Sequence, residues 1–160
     1  MNNTINVKVA GLGGQGVIRA SDILAEAAFR AGLAVKKSEL HGMSQRGGSV
    51  SSDVRFGKEV WSPMIPAGES DFLVVVSADQ VENNLPGLKK GGTLIRPELI
   101  DETMLANKKS LNIALLGALS AHLEIPEAVW LGTIREAFAP ELYEANEKAF
   151  RLGRNAKPSP

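Results

Sequence analysis

The sequence predicts an α/β fold: a Rossmann-like, doubly wound, mostly parallel sheet with an inserted β-hairpin and C-terminal helices. Three observations predict it. A strand pattern runs into the segment GLGGQG, an amphipathic helix pattern follows directly, and the continuous apolar run FLVVVS begins at residue 72. Strand, glycine turn and helix in this order open a βαβ unit. A β-branched run without polar alternation is typical of a parallel strand buried on both faces.

The first forty residues predict one strand, helix and strand unit. Residues 5–10 (INVKVA) alternate and end in apolar residues before a glycine, as a buried strand does. Residues 33–38 form the second predicted strand, after a helix that Gly32 ends. The apolar side chains of that helix share one face, at Val17, Ala20, Ile23, Leu24, Ala27 and Ala28.

The pattern changes after this unit, because a second helix does not follow. Residues 49–56 alternate, and Gly57 with Lys58 predicts a tight turn that leads to residues 60–61. We therefore expect a β-hairpin in place of a helix. Two prolines close the segment.

The rest of the chain predicts shorter strands and then helices. The run over residues 72–77 predicts the middle strand of the sheet. The elements after it are predicted as a short helix at 78–85, a turn at 86–92, a strand at 93–96, and helices at 112–123, 127–137 and 141–152. Because the 112–123 helix is apolar nearly all round, we expect it to be buried against the sheet or a partner chain. One domain is expected over residues 1–153, with a flexible tail over residues 154–160.

Composition excludes several classes of partner and site. The sequence has 18 Lys and Arg against 18 Asp and Glu, so no long-range field attracts a nucleic acid. It has no cysteine, which excludes disulfides, thiolate nucleophiles and cysteine-ligated iron–sulfur clusters in this sequence. No basic segment precedes a long apolar run, and no 18 apolar residues stand together. We expect a cytoplasmic protein with no membrane span.

The glycine turn, residues 11–16, is the first candidate site. Its glycines have the GxGxxG spacing between a predicted strand and a predicted helix. Glycine permits positive φ and close approach, and the N-terminus of the helix attracts a phosphate or carboxylate. Tight packing of strand against helix also requires glycine, so both interpretations stay open. The candidate cofactor-binding residues here are Gly11, Gly13, Gly14, Gln15 and Gly16.

A complete dinucleotide site is disfavoured. Such sites place an acidic residue about 20 residues further on, to bind a ribose hydroxyl. Glu39 is the one candidate, and it leads into a loop. The sequence also lacks the second mononucleotide-binding half of a full dinucleotide fold.

The second candidate site is the segment ELHGMSQRGG, with His41, Arg46, Gly47 and Gly48. His41 is either a proton-transfer group or a loop histidine that bonds to backbone. Arg46 is either a bidentate ligand for a phosphate or carboxylate, or a member of a structural ion pair. No Ser-His-Asp set, metal-ligand spacing or pair of carboxylates is visible, so no catalytic or metal-binding residue is assigned.

Four segments together carry a family resemblance: GLGGQGV, ILAEAA, SELHGMSQRGGSVSSDVRFG and WSPMIPAGESDFLVV. In this order they resemble the gamma subunit or domain of the 2-oxoacid:ferredoxin oxidoreductases, and are most similar to the small subunit of the indolepyruvate class. The resemblance covers about the first hundred residues and is looser past Leu111.

The resemblance implies a subunit of a multi-chain enzyme that oxidatively decarboxylates a 2-oxoacid to acyl-CoA and CO2. It implies that thiamine diphosphate and [4Fe–4S] clusters lie on partner chains, with electrons passing to ferredoxin or another acceptor. This chain would help complete the coenzyme A and substrate side, and would be inactive alone. The alternatives are a free-standing Rossmann-like protein that binds a nucleotide or coenzyme A and, less favoured, an NAD-dependent dehydrogenase.

The resemblance makes the phosphates of coenzyme A the candidate anion for the glycine turn and Arg46. Arg46→Ala removes a bidentate donor, so in the assembled enzyme it should raise the coenzyme A requirement more than the 2-oxoacid requirement. Steady-state kinetics with each substrate varied in turn measure this difference. An unchanged coenzyme A dependence would count against the assignment.

Overall fold

The computed structural model describes residues 4–41 and 48–157. Its five strands are β1 (Ile5–Leu12), β2 (Ala34–His41), β3 (Ser49–Gly57), β4 (Ser70–Val75) and β5 (Leu88–Ile95). Its α-helices are α1 (Val17–Arg30), α2 (Val81–Asn84), α3 (Leu111–Ser120), α4 (Glu127–Ala137) and α5 (Tyr143–Arg154). Within these ranges, α1 is the longest helix at 14 residues, and no helix has the length and apolar content needed to cross a bilayer.

The five strands form one sheet in the order β2-β3-β1-β4-β5. Strand β1 pairs in parallel with β4, and β4 with β5, whereas β3 is antiparallel to both β1 and β2. Four strands therefore share one direction, which confirms the α/β, mostly parallel class. The prediction that residues 72–77 form the middle strand is wrong, because β3 lies between β1 and β2 and moves the centre of the sheet to β1.

The predicted hairpin has a different partner from the expected one. The strand predicted over residues 49–56 is present as β3, but residues 60–61 do not form a strand beside it. Instead β3 pairs with β2 along its whole length, from Ala34 to His41. The backbone after β3 is bound to one face of the sheet by side chains of β3. The Asp53 carboxylate accepts from the amide of Ile65 at 3.0 Å, and Arg55 donates to the carbonyl of Ser62 at 2.8 Å.

Residues 86–92 do not form the predicted turn. Most of them belong to β5, which starts at Leu88 and passes through Gly91 at φ 82°. Pairing between β4 and β5 is irregular near Ser70, where the register shifts. The irregular register accommodates a glycine pair inside a strand, which local sequence rules interpret as a turn.

The two faces of the sheet are covered unequally. Helices α1, α3, α4 and α5 all contribute to one large core, together with strand residues such as Val7, Val54 and Val74. The opposite face carries a small second cluster, in which α2 supplies Val81 and β4 supplies Leu73. The buried helix expected over residues 112–123 is α3, and nine of its residues are buried.

Helices α3 and α5 meet backbone to backbone through two glycines. A Cβ atom placed on Gly117 of α3 would lie 2.0 Å from the carbonyl oxygen of Phe150. A Cβ atom on Gly153 of α5 would lie 1.6 Å from the carbonyl oxygen of Ala114. Since both obstacles are backbone atoms, no side-chain rotation relieves them. Glycine at both positions therefore sets the distance between these helices.

Gly153→Ala should destabilise the chain, because the new methyl group must push α5 away from α3. We expect a loss of about 3 kcal/mol of unfolding free energy, the upper part of the usual range for overpacking. Urea denaturation of the purified chain measures it. Gly132→Ala is the matched control: Gly132 lies in α4 with open space around its Cβ position. It should be neutral or stabilising by up to about 1 kcal/mol, and an equal loss in both variants would contradict the packing argument.

Candidate functional site

The glycine turn joins the carboxyl end of β1 to the N-terminus of α1. Gly14 has φ 89°, and Gly16, the N-cap of α1, has φ 78° and ψ 26°. Residues with a side chain rarely adopt such angles, so both positions favour glycine. The first N–H groups of a helix have no acceptor within the helix. No side chain caps α1 and no acid stands in its first turn, so these donors have no side-chain cap in the described structure.

Two residues of the turn serve the turn itself. The Gln15 side-chain oxygen accepts from the amide of Leu12 at 2.7 Å, and the Gln15 amide donates to the carbonyl of Leu12 at 3.2 Å. A Cβ atom on Gly11 would lie 2.9 Å from both that side-chain oxygen and Cγ2 of Val17. Gly11 is therefore a close-packing glycine. By contrast, the Cβ position of Gly14 is open, and it leaves room for a ligand.

The second candidate segment reaches the turn through Gly48. The amide of Gly13 donates to the carbonyl of Gly48 at 2.9 Å. Gly48, the last residue of this segment, therefore lies against the glycine turn. Arg46 and Gly47 lie outside the described residues.

His41 lies in a different cleft from the glycine turn. This cleft, of about 300 Å³, is also lined by Gln80, Asn83 and Asn84. The His41 side chain is 63% exposed, and its Nε2 lies 3.8 Å from a carboxylate oxygen of Glu39. Lys37 donates a hydrogen bond to Glu39 and is the main cause of a lowered pKa of that carboxyl. His41 and residues 14–16 of the glycine turn therefore line different clefts.

A larger cleft, of about 570 Å³, opens beside the turn. We call it the cationic cleft, because its wall carries three basic side chains. The glycine turn and α1 form one side, and α3 with the segment before it forms another. The residues after β4 and α4 and one residue of α5 complete the lining. The lining residues are Gly14, Gln15, Gly16, Arg19, Val76, Glu102, Lys108, Lys109, Leu111, Asn112, Phe138 and Asn146. Three predicted site residues, Gly14, Gln15 and Gly16, therefore lie in one cleft with residues from the second half of the chain.

The charges of the cationic cleft suit an anion. Arg19 donates to the carbonyl of Ala137 and lies 5.1 Å above the Phe138 ring, so its position is constrained. Lys108 and Lys109 are exposed, and none of the ion pairs in the described part of the chain uses them. Glu102 is the single carboxylate among the residues that line the cleft. A phosphate group would meet an excess of positive charge and free backbone donors here.

Sequence reasoning missed the wall contributed by α3. The signals were a lysine pair directly before an apolar helix and one polar residue, Asn112, inside that helix. Neither indicates which part of the chain it faces, since 96 positions separate Asn112 from Gly16. Across residues 4–41 and 48–157, no three His, Asp or Glu side chains gather to bind a metal.

Comparison with known proteins identifies relatives of this chain. A family model described as pyruvate ferredoxin/flavodoxin oxidoreductase matches residues 6–101. The indolepyruvate oxidoreductase subunit IorB of Thermococcus kodakarensis is 33% identical over 191 aligned positions, which cover 94% of this chain and 95% of that protein.

Two solved structures share the fold. The gamma subunit of a keto/oxoacid ferredoxin oxidoreductase from Geobacter sulfurreducens has a TM-score of 0.79 at 24% identity, over 93% of this chain and 95% of that chain. The 2-oxoglutarate:ferredoxin oxidoreductase of Magnetococcus marinus, solved with 2-oxoglutarate, coenzyme A and succinyl-CoA, has a TM-score of 0.82 at 22% identity. This chain is covered to 94% there, and that longer chain to 30%.

The two positive-φ glycines of the turn should differ in their tolerance of a side chain. Gly14→Ala should cost about 1 kcal/mol of unfolding free energy, for the left-handed backbone alone. Gly16→Ala should cost at least about 1 kcal/mol more, as a site of overpacking, because its Cβ would lie 2.3 Å from Nδ2 of Asn112. Chemical denaturation of both variants measures the difference, and equal losses would show that Asn112 moves aside freely.

Proposed function

This chain belongs to the pyruvate ferredoxin/flavodoxin oxidoreductase family, and we propose that its cationic cleft binds the phosphate groups of coenzyme A in an enzyme of that family. The chain is a gamma-type small subunit of a multi-subunit 2-oxoacid:ferredoxin oxidoreductase, with the other subunits as its partners. The comparisons support this interpretation over the free-standing binding protein.

The observation that carries the proposal is the convergence of two helix N-termini and three basic side chains on one cleft. The N-terminal residues of α1 and α3 both line it, and neither helix has an acidic residue in its first turn. The start of α1 has no side-chain cap, whereas the amide of Leu111 at the start of α3 already donates to the carbonyl of Lys108. The unpaired N–H groups of α1 and the dipoles of both helices favour a negative charge in the cleft. Coenzyme A carries several phosphate charges and no positive group of comparable strength, so it matches this cleft.

Exposed apolar side chains support assembly with other subunits. Trp61 is 80% exposed, Leu40 70% and Met64 65%. Large apolar side chains at a surface are typical of positions that contact another chain. Helix α3, expected to be buried against the sheet or a partner chain, is buried within this chain.

The remaining parts of the reaction belong to the partner chains in this proposal. The assembled enzyme would oxidatively decarboxylate a 2-oxoacid, transfer the acyl group to coenzyme A and pass the electrons to ferredoxin or another acceptor. Thiamine diphosphate and [4Fe–4S] clusters would lie on the partners.

The chain would act in the cytoplasm as one domain, residues 1–153, with a tail at 154–160. The glycine turn with His41, Arg46, Gly47 and Gly48 remains the proposed cofactor-binding set.

Replacing both lysines of the cleft tests the proposal. Lys108→Ala combined with Lys109→Ala in the assembled enzyme should raise the KM for coenzyme A about tenfold, since a lost charge-assisted contact costs about 1.4 kcal/mol or more. The KM for the 2-oxoacid should stay unchanged. Lys90→Ala is the matched control, because Lys90 is an exposed lysine of β5 that does not line the cleft. A double variant that behaves like Lys90→Ala would refute the proposal.

A further inference from the structure

We infer that Asn112 is a positioning residue, which holds the glycine turn in the geometry that presents backbone N–H groups to the anion in the cationic cleft. The inference rests on the proposed function, because it concerns the same cleft. Asn112 makes this contribution through the carbonyl of Gly16.

Asn112 is a buried amide in an apolar helix. It is 6% exposed, and its Nδ2 donates to the carbonyl oxygen of Gly16 at 3.0 Å. The same oxygen accepts the first helical hydrogen bond of α1, from the amide of Ala20 at 3.0 Å. Two donors on one acceptor hold that carbonyl in a single direction.

A planar peptide group transmits this constraint to the N-terminus of α1. The carbonyl of Gly16 and the N–H of Val17 belong to one peptide unit and point in opposite directions. Holding the carbonyl toward α1 and α3 therefore holds the N–H of Val17 away from the helix, at the end where α1 has no side-chain cap. That N–H is among the donors available to an anion at a helix N-terminus.

The contact of Asn112 differs from those of the other buried polar side chains in the described helices. Ser21, Ser110, Ser120, Thr133 and Asn146 each donate to a carbonyl of their own segment, three or four residues away. Asn112 donates across the core to the turn. An amide that served only the stability of its own helix would not need this partner, and an apolar residue would suit its position in α3.

The fit between Asn112 and Gly16 is reciprocal. The Nδ2 atom occupies the space where a side chain at position 16 would begin, at 2.3 Å from the Cβ position. The absence of a side chain at Gly16 and the position of the Asn112 amide therefore depend on each other. This dependence identifies Asn112 as part of the turn, although it lies on another helix.

The test replaces Asn112 by leucine, which has a similar size but cannot donate. In the assembled enzyme, Asn112→Leu should raise the KM for coenzyme A about tenfold, because the loss of one hydrogen bond at a buried site is of that order. Its kcat and its KM for the 2-oxoacid should change less than about twofold, which is close to the scatter expected of a mutation remote from the chemistry. Asn112→Asp should raise the KM for coenzyme A further, because a carboxylate would repel both the carbonyl oxygen and the phosphates.

Ser120→Ala is the control for a purely structural effect. Ser120 is buried near the other end of α3, and its hydroxyl donates to the carbonyl of Gly117. This variant should lower the Tm of the chain without changing the KM for coenzyme A. If Asn112→Leu lowers the Tm and leaves that KM unchanged, Asn112 is only a structural residue and the inference is overturned.

The double lysine variant and Asn112→Leu together distinguish a failure of this inference from a failure of the proposed function. If the double lysine variant raises the KM for coenzyme A and Asn112→Leu does not, the proposed function stands and the positioning role fails. If neither variant changes it, the proposed function fails, and the positioning role fails with it. A rise in both variants, with kcat preserved in Asn112→Leu, supports both.

Discussion

The close contact between α3 and α5 is the constraint on which the cleft depends. Gly117 and Gly153 allow the two helix backbones to approach until a Cβ atom on either would strike a carbonyl oxygen. This contact sets where α3 lies over the sheet, and the residues at its N-terminal end then form one wall of the cationic cleft. A feature of helix packing at one end of α3 therefore determines the position of the candidate binding residues at the other.

The glycines of the turn differ in the space around them. Gly11 has no room for a side chain because Gln15 and Val17 fill the space, and Gly16 has none because of Asn112. Gly14 alone of these three has open space at its Cβ position. The close-packing interpretation of the GxGxxG spacing therefore holds at Gly11 and Gly16, and Gly14 has the open space that the proposed anion binding requires. The spacing reports a close junction of strand and helix, and it does not by itself report a dinucleotide.

Much of the fold follows from local pattern, and the errors have physical causes. The first helix, the buried helix α3 and helix α4 were predicted because their apolar spacing is regular and long. The hairpin partner of β3 was predicted wrongly. An alternating strand that ends in a turn at Gly57 can pair with the segment before it or with the segment after it, and the pattern does not distinguish the two. The segment after β3 instead meets charged side chains of the sheet, and Asp53 and Arg55 hold its backbone. Rules based on local sequence do not predict these contacts between the segment and the sheet.

By itself, the sequence determined the α/β class, the order of strand, glycine turn and helix, and the absence of cysteine chemistry. Each of these depends on residue type or on periodicity over a short stretch. The tertiary structure alone decided the strand order, the placing of His41 in a different cleft from the turn, and the placing of Lys108, Lys109 and Asn112 in one cleft with Gly16. The physical reason is that these last residues are joined by the packing of α3, and packing depends on contacts between distant segments that no local pattern records.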